Sequence, residues 1–210
     1  MAFLRRFFAA AIFVAFVAGA AHAQQYFPPG VFDDNGRTGQ YTINWYSKNL
    51  KALGEPSLWE LSQRDRTAEV YRFLWLRTFH HPVSVRIVMY PKAHVYGRAR
   101  LFAKVASGTA GYDPGHVNRR RYTNLMDGAA RKLLERIESV GFWTQPLRGP
   151  EPKLITLDGA EWIIEGIKGG EYHVIDRFTP KPADGDAAYI LGTMMVFDLA
   201  RLRIKPSEIY

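Results

Sequence analysis

Residues 160–178, with the sequence AEWIIEGIKGGEYHVIDRF, contain the clearest structural pattern in this chain. Two runs rich in branched and aromatic side chains flank Gly169 and Gly170, and such runs are typical of β-strands. Paired glycines reach the positive φ angles of a tight hairpin turn at low cost. The stretch therefore predicts a β-hairpin with strands over 160–167 and 171–178.

The register of this hairpin follows from its short turn. With a loop of two or four residues, an even-numbered residue of the first strand lies opposite an odd-numbered residue of the second, and opposite residues share a face of the hairpin. One predicted face carries Trp162, Ile164, His173, Ile175 and Arg177, and the other carries Ile163, Glu165, Tyr172, Val174 and Asp176.

Further strands precede the hairpin. Residues 69–79 carry aromatic and branched side chains at both odd and even positions, so both faces of this predicted strand must be covered by other parts of the protein. Residues 83–90 form a second alternating run after His80, His81 and Pro82. A third strand is predicted over 98–105, followed by an edge strand over 116–122.

Two helices are predicted around the hairpin. The first carries apolar residues at a 3.6-residue spacing, is capped by Thr123 and ends at Gly141; these residues are Met126, Ala129, Ala130, Leu133, Leu134, Ile137 and Val140. The second begins at Asp184 or Asp186 and runs to about Ala200. The order strands, helix, hairpin, helix predicts an α+β domain in which an antiparallel sheet carries two helices.

The N-terminus has the pattern of a secretory signal peptide. Arg5 and Arg6 precede an uncharged apolar run over 7–21, and Ala21-His22-Ala23 fits the small-residue cleavage site. We expect cleavage after Ala23 and a periplasmic or secreted product with no membrane span. Residues 24–54, rich in turn formers at their start, are predicted to form a loosely ordered leader before a single domain over 55–210. Within this leader, a short strand is predicted over 41–46 and one or two helical turns over 47–53.

Composition limits the possible chemistry. The 210 residues include no cysteine, which excludes disulfides, thiolate metal sites and a cysteine nucleophile. The net charge of +8 favours an anionic partner, and the chain stays basic after cleavage because the loss of Arg5 and Arg6 lowers its charge only to +6. Export makes nucleic acid an improbable ligand, so we expect an anionic envelope component or another envelope protein as the partner; the oligomeric state stays open.

Basic side chains concentrate on the predicted strands before the first sheet-covering helix. A stripe able to hold phosphates or carboxylates would contain Arg98, Arg100, Lys104, Arg119, Arg120 and Arg121. The alternative interpretation is protection of a sheet edge against pairing with other chains. His173 and Arg177 form a second candidate for anion binding.

The hairpin also supplies candidate catalytic residues. Glu165, Tyr172 and Asp176 share one predicted face, and buried carboxyl groups with raised pKa values can serve as general acids or bases. The alternative is that they are ordinary cross-strand pairs. The sequence contains no zinc, calcium, serine hydrolase or nucleotide motif, so we expect no cofactor and no metal.

Several short motifs resemble those of exported bacterial proteins of unknown function. These motifs are Leu157–Trp162, Glu165-Gly166, Gly170–His173, Tyr71–Leu76 and Phe142-Trp143, and the likeness spans roughly residues 55–200. The resemblance implies export and a similar fold, and it implies no substrate or active residue. The leading hypothesis is therefore a non-enzymatic binding or accessory protein of the envelope, with a small hydrolase as the alternative.

Overall fold

In the computed structural model, residues 24–33, 39–90, 99–149 and 158–210 are described, so the predicted signal peptide and Arg98 lie outside them. The elements are α1 (Gly39–Ala52), α2 (Leu58–Arg64), β1 (Val70–Arg77), β2 (Val83–Met89), β3 (Ala99–Ala106), β4 (Val117–Leu125), α3 (Asp127–Ser139), β5 (Ala160–Lys168), β6 (Glu171–Phe178) and α4 (Ala187–Thr193). A π-helical stretch, Met194–Leu199, continues α4.

The strands form one six-stranded sheet in the order β4-β3-β2-β1-β5-β6. Every neighbouring pair is antiparallel, which confirms the predicted α+β class and the antiparallel sheet. All eight residues of β1 are buried, because this strand lies inside the sheet with both of its faces covered.

The predicted hairpin is confirmed. Gly169 and Gly170 form the turn between β5 and β6 with φ angles of 64° and 87°. Trp162 lies opposite Arg177 and Ile163 lies opposite Asp176, so the two predicted faces are also confirmed.

Two hydrophobic cores lie on opposite sides of the sheet. We call the side that carries Phe73, Trp75 and Trp162 the front face; α3, α4 and the π-helical stretch pack on it. The back face carries Leu74 and Ile163, and α1 with Tyr26, Phe27 and Phe32 packs there. The sheet is therefore the middle layer between helices.

Residues 24–33 and 39–54 are not the loose leader that the turn-rich composition predicts. Tyr26, Phe27 and Phe32 are buried, and α1 replaces the strand that was predicted over 41–46. Alternation of Tyr41, Ile43 and Trp45 resembles a strand. The buried side chains, however, follow a helical spacing, with Tyr46, Leu50 and Leu53 against the sheet.

The predicted order of elements is also wrong for the whole chain, because α1 and α2 precede the strands and more than two helices cover the sheet. Burial of both faces of β1, which the sequence indicates, requires this second helical layer. Helix α2 begins after Ser57, whose hydroxyl accepts a hydrogen bond from the Glu60 N–H at 3.0 Å.

Helix ends are partly as predicted. Thr123 lies within β4, not at a cap, and Met126 precedes α3 with 79% of its surface exposed, not in the core. Gly141 ends α3 with a φ of 61°, as predicted. Asp186 caps α4 by accepting hydrogen bonds from the N–H groups of Ala188 and Tyr189.

Candidate functional site

A groove lies on the front face at the outer strand β4, where residues 201–203 pass over β3. Arg119 lies opposite Val105 and Arg121 lies opposite Ala103. Cross-strand neighbours share a face, and Val105 and Ala103 belong to the front core, so both arginine side chains leave β4 on the front face.

The second wall of the groove comes from the segment after the π-helical stretch. That stretch ends with a hydrogen bond from the Leu202 N–H to the Val196 carbonyl at 2.9 Å. Arg201 occupies the left-handed conformation there, with a φ of 50°, which is unfavourable for a residue with a Cβ. The turn carries Arg201, Leu202 and Arg203 to the groove.

The groove has a cavity volume of about 260 Å³ and is lined by Ala103, Val105, Arg119, Arg120, Arg121, Arg201, Leu202 and Arg203. Its uncharged lining is apolar, and no carboxylate is among the lining residues. Guanidinium groups form charge-assisted, often bidentate hydrogen bonds to carboxylates and phosphates. An apolar floor lowers the local dielectric and strengthens such contacts.

The groove arginines differ from the buried arginines of this protein. Arg119, Arg121, Arg201 and Arg203 are exposed and, within the described residues, belong to no ion pair. Arg72 and Arg177, in contrast, are buried and each contacts a carboxylate. The groove charge is therefore available to a ligand.

The structure brings together only part of the predicted basic stripe. Lys104 is 8% exposed; its Nζ lies 2.8 Å from Oε1 of Glu55 and donates to the Gly54 carbonyl at 2.6 Å. Arg120 lies opposite Lys104, so its side chain is on the back face. Arg120 nevertheless borders the front-face groove. Arg100 is exposed on that same face, opposite Asn124.

Sequence reasoning missed Arg201 and Arg203. A signal was present, because Arg201-Leu202-Arg203-Ile204-Lys205 alternates basic and apolar residues. Nothing in that pattern says that the segment lies beside β4. The contact depends on where the π-helical stretch ends, which is a tertiary feature.

Of the candidate catalytic residues, Glu165 and Tyr172 are in contact. The Tyr172 hydroxyl donates to Glu165 Oε1 at 3.0 Å, and Arg72 Nε donates to Glu165 Oε2 at 2.7 Å. Burial raises the pKa of Glu165, while the Arg72 guanidinium opposes this shift. Because the Glu165 side chain exposes no surface, its carboxylate contacts Arg72 and Tyr172 and does not contact solvent.

Asp176 lies in a separate cluster near α1. Its Oδ2 accepts a hydrogen bond from the Tyr46 hydroxyl at 2.8 Å and from Arg148 Nη1 at 2.5 Å. Its Oδ1 and the Oε2 of Glu161 are buried without a hydrogen-bond donor among the described residues. Burial and the nearby Asp176 carboxylate raise the pKa of Glu161 well above 4.5, which favours the protonated form of Glu161.

His173 and Arg177 share the front face but do not form an open anion site. Arg177 Nε donates to Asp186 Oδ2 at 2.9 Å, and Nη1 donates to the Leu147 carbonyl at 2.7 Å. The His173 ring packs against Phe142 with a centroid distance of 5.0 Å, and burial lowers the pKa of this histidine. The Arg177 guanidinium therefore already donates its hydrogen bonds to acceptors within the protein and is not open to an anion.

Among the described residues, no group of three or more histidine, aspartate or glutamate side chains is arranged to hold a metal ion. In the same part of the chain, every helix is too short or too polar to cross a membrane. No protein-family model and no curated protein matches the sequence.

Proposed function

We propose that this protein is an exported bacterial envelope protein that binds an anionic partner in the arginine groove and acts as a binding or accessory protein, not as an enzyme. The supporting observation is the convergence of Arg119, Arg121, Arg201 and Arg203 on one groove without a lining carboxylate.

Electrostatics supports a binding role. Four guanidinium groups in one groove repel one another, and a bound anion relieves that repulsion while it gains charge-assisted hydrogen bonds. Arg201 is held in an unfavourable backbone conformation at the groove wall. Backbone strain of this kind is concentrated at functional sites, which supports the same interpretation.

Export is proposed from the N-terminal sequence. To test it, the full chain is expressed in a bacterial host, and the periplasmic and cytosolic fractions are examined by intact-mass measurement. We expect a periplasmic product that begins at Gln24. A cytosolic product that retains Met1 would contradict this part of the proposal.

The hydrolase alternative has less support. Glu165 is fully buried and hydrogen-bonded to Arg72 and Tyr172, and Asp176 is buried beside Tyr46. A substrate would have to displace these internal partners before it could reach either carboxyl group. An exposed groove needs no such rearrangement to bind its ligand.

The groove is tested with two probes, dextran sulfate as an anionic glycan and vesicles of phosphatidylglycerol as an anionic lipid surface. Arg121→Gln combined with Arg203→Gln removes two groove charges. Arg131→Gln combined with Arg136→Gln removes two exposed charges of α3 and serves as the matched control.

We expect the groove variant to bind at least one probe more weakly than the control variant by at least about tenfold, since the loss of even one charge-assisted hydrogen bond, about 1.5–3 kcal/mol, has that effect. Binding should also weaken as NaCl rises from about 0.05 M to about 0.5 M, because salt screens exposed charges. Equal binding by the two variants would mean that net charge, and not the groove, holds the anion.

A further inference from the structure

The two outer strands of the sheet differ in how their edges are covered. On β6, the Asp176 N–H donates to the Leu147 carbonyl at 2.7 Å, and Arg148 forms a bridge to the same residue. On β4, nothing in the described ranges covers the outer edge, and residues 118–122 are all exposed. In the part of the chain that the structure describes, the β6 edge is therefore covered at Asp176 and the β4 edge is open.

The hydrogen bonds at the ends of the inner strands show which β4 residues face outward. The Ala106 N–H donates to the Pro82 carbonyl at 3.0 Å, so even-numbered residues of β3 direct their backbone groups toward β2. Odd-numbered residues of β3 then pair with β4, and these include Val105 opposite Arg119 and Ala103 opposite Arg121. Arg120 and Tyr122 consequently direct their N–H and C=O groups away from the sheet.

The side chains beside this edge are basic and favour an acidic partner strand over a basic one. Arg119 and Arg121 stand on the front face next to Arg201 and Arg203, and Arg120 stands on the back face. If β4 paired antiparallel with β4 of a second copy about Arg120, arginines would lie opposite arginines. Like charges in directly opposed positions are destabilising, so a second copy is disfavoured in this register. Acidic side chains on an incoming strand would instead meet opposite charge.

We propose that the open edge of β4 accepts an extended acidic segment of a partner protein as an additional antiparallel strand. This proposal rests on the proposed function and names its partner class. Backbone groups of Arg120 and Tyr122 provide hydrogen bonds to the segment. Acidic residues at alternate positions of the segment face Arg119 and Arg121, where the groove adds Arg201 and Arg203. A glycan or a lipid headgroup would use the arginines and leave the strand edge unpaired.

The test uses a synthetic peptide of nine residues, the length of β4, in which glutamate and valine alternate. A second peptide carries N-methyl groups on its central residues, which block backbone hydrogen bonding at both edges without changing charge. A third peptide has lysine in place of glutamate. Affinity is measured by fluorescence anisotropy with the protein purified from the periplasm.

Tyr122 allows a matched pair of variants. Tyr122→Pro removes an outward N–H while the hydrogen bonds between β3 and β4 are kept, because proline is tolerated where the N–H of an edge strand faces solvent. Tyr122→Thr removes the same ring and keeps the N–H. Circular dichroism and thermal unfolding establish that both variants are folded. Protection of the Arg120 and Tyr122 amides from hydrogen exchange is a second measurement, made on the unmodified chain.

We expect the glutamate peptide to bind, and both N-methylation and Tyr122→Pro to weaken binding at least about tenfold, with little change for Tyr122→Thr. The lysine peptide should not bind, and the two amides should gain protection. Equal binding of the N-methylated peptide, or unchanged amide exchange, would overturn strand addition. If dextran sulfate or vesicles bind while the glutamate peptide does not, strand addition fails and the anion groove stands. If none of the probes binds, both proposals fail.

Discussion

Arg72 Nη2 lies 2.5 Å from Oε2 of Glu165, and neither side chain exposes any surface. The two residues are opposite each other on β1 and β5, so the ion pair joins the central strands on the back face of the sheet. Burial removes both charges from water at a high cost in free energy, and only their mutual attraction and further hydrogen bonds offset that cost.

Glu165→Gln should destabilise the protein by about 2–3 kcal/mol, because it leaves the Arg72 charge buried with only the more distant Glu55 carboxylate, at 3.9 Å. Urea unfolding measures the change. Adding Arg72→Met should restore at least half of the lost stability. A Glu165→Gln protein with unchanged unfolding and lost ligand binding or turnover would instead support the catalytic role that the sequence suggests for this carboxylate.

Glu55 connects α1 to the sheet through three cations. Its carboxylate lies 2.7 Å from Arg86 Nε and 2.8 Å from Lys104 Nζ, with Arg72 farther away. Glu55→Gln should destabilise the protein by about 3 kcal/mol, because it removes the carboxylate that pairs with Arg86 and with the buried Lys104. Hydrogen exchange should be faster in α1 and α2 than in wild type. Faster exchange confined to α3 and α4 would contradict this role.

Replacement of two helical glycines by alanine should change the stability of the protein in opposite directions. A Cβ on Gly192 would lie 2.8 Å from the Trp162 ring and 2.9 Å from the Phe73 ring, both buried, whereas a Cβ on Gly128 would meet nothing within 4 Å. Gly192→Ala should therefore destabilise by about 1–3 kcal/mol through overpacking, despite the better helix propensity of alanine. Gly128→Ala should stabilise by about 0.5 kcal/mol. Thermal unfolding of both variants checks the pair, and a more stable Gly192→Ala protein would contradict the packing described.

The raised pKa of Glu161 beside Asp176 makes stability depend on pH. Because burial raises the pKa of Glu161 above its usual 4.5, the folded state binds this proton more tightly than the unfolded state does. The stabilisation is complete below pH 4.5 and is lost as pH rises toward the raised pKa of the folded protein. Glu161→Gln keeps a neutral hydrogen-bond donor and removes the titration.

The difference in unfolding free energy between wild type and Glu161→Gln should therefore change as pH rises above 4.5, with wild type losing stability relative to the variant. Comparing the two proteins cancels the contributions of His80 and His173, whose pKa values are lowered by burial. A pH-independent difference would show that Glu161 is already ionised in the folded state.

The sequence predicts those elements that local chemistry controls. The turn at Gly169 and Gly170, the cap at Asp186 and the helix end at Gly141 depend on residues next to one another, and all three are confirmed. The hairpin faces also follow, because a two-residue turn sets the register. The helical turns predicted over 47–53 belong to α1, but the start of this helix is missed because its buried side chains contact residues that are distant in the sequence.

The candidate site could be predicted only in part for the same reason. Arg119 and Arg121 are recognisable from the basic run on an edge strand. Lys104 looks equally accessible in the sequence, yet Glu55 from the connection between α1 and α2 pairs with it on the back face. Arg201 completes the groove because the chain turns at that residue in a left-handed conformation, which the residue type disfavours.

The most direct measurement of the central claim is a pyrophosphate titration followed by NMR of the arginine Nε–Hε groups. The groove account predicts saturable shifts for Arg119, Arg121, Arg201 and Arg203 with one common dissociation constant, and none for Arg131 and Arg136 on α3. Shifts of equal size at all exposed arginines, or no saturable shift at the four groove residues, would contradict it.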